Sequence, residues 1–184
     1  MIIAIVLCVV VAGLAIGGYN TLVRKRNQTD NAFGSIDAML KKRFDLVPNL
    51  VACVQRYAEH EQATFSQVVR LRENQYDSLS VAQKEEFDRA FSAARRQFLA
   101  VAENYPQLRA SENFMQLQRT LNETEEQLSA ARRTYNACVT DYNNTVMTFP
   151  SNLIAGMFGF TRREVLSVSP EERESPDVRQ MFRS

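Results

Sequence analysis

Residues 111–143 read SENFMQLQRTLNETEEQLSAARRTYNACVTDYN. Within them Phe114, Leu117, Leu121, Thr124, Leu128, Ala131, Tyr135, Cys138 and Tyr142 recur at alternating steps of three and four. That rhythm puts every one of them on a single helical face. Ser111 stands where a cap is needed and Phe149-Pro150 where a stop is needed, so the helix is roughly 50 to 55 Å long. So long an apolar stripe is stable only when other helices cover it, which makes this an all-α protein built as a bundle.

Upstream the same rhythm continues. Phe87, Phe91, Ala94, Phe98, Val101 and Tyr105 form a second stripe, opened by Ser80 with Gln83 in a capping box and closed by Pro106. Earlier still, Tyr19, Leu22, Phe33, Ile36, Leu40 and Phe44 share a face, with Arg26 and Thr29 as its polar members. At Asp45-Leu46-Val47-Pro48 the proline removes a donor and crowds the preceding turn. This predicts a break, with Pro48 in the first turn of another helix that runs through Phe65 and Val68 to about Glu73. The stripe stays in phase through Leu40, Phe44, Val47, Val51, Val54 and Ala58, so one kinked, continuous helix remains open. Four amphipathic helices with short connections predict an antiparallel, up-and-down four-helix bundle over 20–160, with a short C-terminal helix. From Thr161 to Ser184 the chain is polar and proline-punctuated, which predicts a flexible tail.

Residues 1–19 hold no charged side chain. As a helix they rise about 28 Å, close to the hydrocarbon thickness of a bilayer. Arg24, Lys25 and Arg26 follow and nothing basic precedes, an asymmetry that places the amino terminus outside and the bundle in the cytoplasm. A cleaved signal peptide would need a basic segment ahead of the run. A lipoprotein would need a cysteine at its end, whereas Cys8 sits in its middle. The run therefore reads as an uncleaved, single-pass transmembrane helix with the lipid bilayer as its first partner. Gly13 and Gly17 make a GxxxG pattern, either a helix-packing site or a chance feature of an apolar run.

An even number of antiparallel helices returns the chain to the bilayer, which brings Phe149 to Phe160 near its surface. Leu153, Ile154, Met157, Phe158 and Phe160 then either close the bottom of the bundle or dip into the membrane interface.

Chemistry-bearing patterns are sparse. A formal net charge of +1 argues against a nucleic-acid surface. Cys8, Cys53 and Cys138 are too far apart for a metal or redox motif and suit buried positions in a reducing compartment. His60 is the single histidine, flanked by Glu59 and Glu61, and one imidazole does not make a zinc site. There is no G-x-S-x-G, and the only glycine-rich run, Gly13 to Gly18, lies inside the apolar stem. No catalytic residue, cofactor or metal is expected. Asn20, Asn31, Asn49, Asn104, Asn113, Asn136, Asn143 and Asn152 suit caps and turns, with a ligand groove as the alternative. Tyr57, Tyr105, Tyr135 and Tyr142 suit the core.

Several words in the sequence resemble a known family. They are Gly18-Tyr19-Asn20, Asn31-Ala32-Phe33, Asp45-Leu46-Val47-Pro48-Asn49-Leu50-Val51, Tyr57 with His60-Glu61, and Ala102-Glu103-Asn104-Tyr105-Pro106. Further on come Glu112-Asn113-Phe114, Ala131-Arg132-Arg133, Tyr135-Asn136, Tyr142-Asn143, Phe149 to Ile154, and Phe158-Gly159-Phe160. Their order and spacing identify the chain as resembling the bacterial LemA family. The resemblance implies a membrane-anchored helical bundle in the inner membrane and supplies no catalytic residues. Family members are often encoded beside a membrane metalloprotease or a small membrane phosphatase-like domain, which implies such proteins as partners. Phe33 stands where relatives commonly carry tryptophan, and Gly18 where lipoprotein members carry cysteine.

The resulting expectation is a non-catalytic membrane scaffold that works through protein contacts, self-assembling as a homo-oligomer. A membrane enzyme or protease or phosphatase regulator with an Asn-lined groove is the alternative, and a membrane-shaping protein a third. Arg26, Thr29, Glu61 and Arg72, as polar members of the stripes, either face solvent gaps or set register against a partner helix.

Overall fold

The stem and the first bundle helix are one element. A computed structural model describes residues 1–56, 69–70 and 75–166, and in it α1 runs unbroken from Ile2 to Gln55. The break expected at Pro48 is not there. Pro48 points to solvent, while Phe44, Val47, Leu50 and Val54 on the other side are all buried. Each such burial contributes about 1.5–3 kcal/mol, which together outweighs the roughly 3 kcal/mol cost of an interior proline. The rest of the expected second helix, with Ala58, Phe65, Val68 and Glu73, lies outside the described residues.

A 3-10 turn at Tyr76–Ser78 precedes α2, Val81–Asn104. The Ser80 hydroxyl accepts from the Gln83 N–H at 3.3 Å, and the Gln83 side-chain oxygen accepts from the Ser80 N–H at 2.9 Å, so the capping box is complete. One turn with proline at its start, α3, covers Pro106–Arg109. Then α4 spans Glu112–Met147, with the Ser111 hydroxyl accepting from the Phe114 N–H at 3.3 Å. Finally α5 covers Ser151–Phe158 and is closed by Gly159 at φ 71°, where the Phe160 N–H reaches back to the Ala155 carbonyl at 2.9 Å. That left-handed closure is the geometry glycine permits at least cost. The described residues are thus helical, with a long apolar amino-terminal helix followed by a helical bundle.

Contacts divide the chain into two compact units, Met1–Phe33 with Arg132–Ser184, and Gly34–Ala131. In the second unit the α2 stripe meets α1 and α4 as the periodicity requires. Phe44, Phe87 and Phe91 form a chain of ring contacts at 5.3 and 5.8 Å, and Phe98 stacks on Phe114 at 4.8 Å. Lys84 bonds Asp37 at 2.8 Å and Asp88 bonds Arg43, so α2 runs parallel to this part of α1. Arg43 with Glu125 and Lys42 with Gln127 set α4 antiparallel to it.

The largest fully buried side chain in this unit is a charge. Arg43 is 1% exposed and pairs with both Asp88 and Glu125. Its guanidinium lies over the Phe91 ring at 5.4 Å. A buried cation survives only with partners at hand. The acceptors sit on α2 and α4, so this side chain fixes the alignment of three helices.

In the first unit, Leu22 and Tyr142 are buried with Ala155 from α5, and Val146, Ile154 and Phe160 pack against them. The buried Thr29 is satisfied by donating to the Lys25 carbonyl at 3.0 Å. Two members of the first stripe depart from expectation. Tyr19 and Phe33 are exposed by about two-fifths, Tyr19 in contact with Phe158 and Phe160 and Phe33 with Tyr135.

Candidate functional site: the end of the apolar stem

The end of the apolar stem is where the structure gathers most of the residues singled out by sequence. Ile2 to Ile16 stand fully out from the fold, and α1 is the one helix among the described residues long and apolar enough to cross a membrane. Just beyond, the Tyr19 ring contacts Phe158 at 4.8 Å and Phe160 at 5.8 Å. Gly18 lies directly under Ile154, and a Cβ built there would run into the Ile154 Cδ1.

Residues 149–160 divide between two opposite faces. Ala155, Ile154 and Phe160 turn inward and close the unit. Leu153, Met157 and Phe158 turn outward and are 59, 80 and 58% exposed, with Phe149 beside them. An eight-residue helix placed at the end of the stem therefore shows a bare apolar face. Polar groups rim it. Lys25 pairs with Asp141 at 2.6 Å, the Arg26 guanidinium lies over Phe160 at 5.5 Å, and Arg24 bonds Thr21 at 3.4 Å. Gly13 and Gly17 have nothing within 4 Å on their open side, so that face of the stem is free for another helix.

The segment after Phe160 was the least promising by sequence, and its first part is not a loose tail. Thr161 to Leu166 lie along α4 without helical structure, held by hydrogen bonds from Tyr135, Asn136, Tyr142 and Asn143. Arg163 also pairs with Asp30 at 2.5 Å. The hydrogen bond to Asp30 raises the Arg163 pKa, and burial pushes the Tyr142 phenol upward. Residues 167–184 lie outside the described residues. The expectation for Asn136 and Asn143 is caps and turns, with a ligand groove as the alternative, and for Tyr135 and Tyr142 the core. Their shared spacing, Tyr-Asn repeated after seven residues, was the missed signal.

In the second unit Asn49, Asn113, Gln116 and Thr120 line an open groove of about 460 Å³ with Leu46, Cys53 and Leu117. Its one thiol is a poor nucleophile, since burial pushes the Cys53 pKa up. Elsewhere in this unit, burial raises the Asp37 carboxyl, but the Lys84 and Tyr76 hydrogen bonds and the Lys84 charge prevail and hold it below its ordinary value. Burial first, then the bond to Asp37, raises the Tyr76 phenol far above the usual range. Among the described residues no group of three metal-ligating side chains comes together. Tyr57, His60, Glu61 and Arg72 lie outside them.

Residues 32–179 match the family model described as the LemA family. The chain is 27% identical over 171 residues to Protein LemA of Metamycoplasma hominis, an alignment covering 90% of this chain and 76% of that one. It is 24% identical over 196 residues to Magnetosome protein MamQ 2 of Paramagnetospirillum magneticum, covering 92% and 72%. Magnetosome protein MamQ 1 of the same organism matches to the same degree. With an apolar stem, an all-helical bundle and a family match over most of its length, this membrane-anchored protein belongs to the LemA family.

Proposed function

We propose that the protein is a non-catalytic scaffold held in the bacterial inner membrane by residues 1–19, acting through contacts with its own copies and with neighbouring membrane proteins. The observation that carries this reading is the tilted ring contact of Tyr19 with Phe158. It joins the outward face of α5 to the end of the stem, so the lipid-facing surface continues from the stem onto Leu153, Met157 and Phe158. Amphipathic surface of this kind lies at the boundary of headgroups and acyl chains. The basic residues Arg24, Lys25 and Arg26 follow the stem directly, which supports an external amino terminus and a cytoplasmic bundle.

A scaffold needs a surface for other chains, and the stem offers one. The Gly13–Gly17 face of the stem admits a second helix at close range. A membrane metalloprotease is the partner the family's gene neighbourhood supports.

Crosslinking of the full chain in native membranes, followed by mass spectrometry, tests the reading. Crosslinks between copies, weakened when Gly13 and Gly17 are both replaced by isoleucine, are the expected result. A monomer without neighbours at every reagent concentration would overturn it. Digestion of the bundle by protease in right-side-out rather than inverted vesicles would overturn the orientation.

A further inference from the structure

The Tyr-Asn pair occurs twice in α4, at Tyr135-Asn136 and at Tyr142-Asn143, and each pair grips residues 161–166 in the same way. Tyr142 Oη donates to the Thr161 carbonyl at 3.0 Å. Two residues on, Asn143 forms a ring of two hydrogen bonds with the main chain of Arg163. Its Nδ2 donates to the carbonyl at 2.8 Å and its Oδ1 accepts the N–H at 2.9 Å. Tyr135 Oη then reaches the Glu164 carbonyl at 3.4 Å. Asn136 closes the same ring with Leu166, at 2.9 and 2.8 Å.

The two pitches are commensurate. Seven residues of helix rise about 10.5 Å, and three residues of extended chain advance about 10 Å. One Tyr-Asn pair per seven helical residues therefore meets one strap residue in three, and the strap runs antiparallel to α4. By this spacing the next rung falls at Leu128-Ser129, which is not of the same type.

An asparagine amide presents one donor and one acceptor in a plane, as a peptide group does, and so it pairs with main chain whatever the side chain. One strap side chain is also read. Arg163 Nη1 meets Asp30 at 2.5 Å, with the guanidinium over the Tyr142 ring at 5.9 Å. The ligand this face takes is thus an extended segment with free N–H groups three residues apart and a cation at the first of them.

We propose that this face of α4 is a main-chain-reading clamp, and that residues 161–166 of a second copy enter it in exchange for the chain's own when copies assemble. The proposal rests on the self-association reading above. Exchange of identical segments needs no new complementarity, since the incoming strap carries the same N–H groups and the same arginine. The strap departs from α5 at Gly159, whose positive φ marks a point where the chain can redirect. The clamp belongs to the same compact unit as the stem, so copies in one membrane hold their clamps at one height and concentrate their straps beside one another. A free peptide with the same six hydrogen bonds would bind loosely, because each is modest in water and association carries an entropy cost.

The test places a benzophenone amino acid at Val165, an exposed residue that lines the α4 groove with Thr140, Asn144 and Met147. Full-length heavy- and light-isotope copies are co-reconstituted in one membrane and irradiated. Heavy–light crosslinks from 165 to α4 are expected. They should fall at least tenfold in Asn136→Asp with Asn143→Asp, which keeps shape and replaces the donating amide by a carboxylate. Leu166→Pro, which removes one strap N–H and leaves α4 untouched, should give the same loss. Crosslinks confined to one isotope, or heavy–light crosslinks that survive these changes, would overturn the proposal. A second probe at Ile5 in the stem separates the two readings. If Ile5 gives heavy–light pairs and 165 does not, self-assembly stands and strap exchange falls. If neither does, both fall.

Discussion

Arg43 and Asp88, 45 residues apart in sequence, pair inside the helical bundle with the guanidinium 1% exposed. Glu125 takes the other side of the same group. Both carboxylates keep some contact with water, at 16 and 33% exposure, while the arginine has almost none. The cost of disruption therefore falls on the side that loses volume and charge together. Arg43→Ala should destabilise by about 3 kcal/mol, a fall in Tm of roughly 6–12 °C. Arg43→Met, which keeps most of the buried chain, should lose less than half of that. Thermal melts followed by circular dichroism in detergent check both, and equal losses would show that volume plays no part.

Gly18 and Ile154 approach closely where the stem meets α5, leaving no room for a Cβ. Gly18→Leu should displace α5 and cost about 1–3 kcal/mol, as overpacking does. Ile154→Ala, destabilising alone, should recover part of the loss when combined with it. A double-mutant cycle on Tm reads the coupling, and simple additivity of the two changes would contradict the contact.

The Asp37–Tyr76–Lys84 cluster gives opposite pH dependences at its two ends. The Asp37 carboxyl is held below its ordinary value of 3.8, so its contribution is present above that pH and is lost as pH falls through the folded value. The Tyr76 phenol is raised above its ordinary value of 10.0, so its contribution is complete below pH 10 and is lost as pH rises beyond it. Tyr76→Phe should flatten the alkaline limb of a Tm-against-pH curve. Lys84→Met should flatten the acid limb. A curve unchanged by either substitution would show that the cluster does not titrate on unfolding.

The chain contains no tryptophan, which makes a single introduced one an unambiguous reporter. Met157→Trp, on the outward face of α5, should be strongly quenched by lipids brominated along the acyl chain. Glu103→Trp, on the exposed side of α2, should not be. Equal quenching at the two positions would remove lipid contact at α5.

Periodicity located the bundle stripes closely. Phe87, Phe91, Phe98, Phe114, Leu121, Leu128 and Tyr142 are all buried where spacing puts them. Near the end of the longest stripe the fully buried residue is Val139 rather than Cys138, an error of one position that 3.6 residues per turn accumulates over many turns. Pro48 misled because local backbone preference gave way to burial on the far side of the helix. Arg43 was illegible because charge says nothing of burial until its acidic partners, distant in sequence, are known. The strap left no compositional trace at all. It is held through main-chain groups, which every residue carries, and only the repeated Tyr-Asn spacing betrayed the surface that holds it.

Clamping also bears on how the chain meets proteases. A trypsin-like enzyme must draw the bonds after Arg162 and Arg163 into its own cleft and pair with the same backbone groups that Asn143 already occupies. Cleavage there must wait for release, so under mild digestion the cutting rate follows the fraction of molecules with the strap undone. Two adjacent arginines thus serve as a built-in clock for that event, readable in intact membranes without a label.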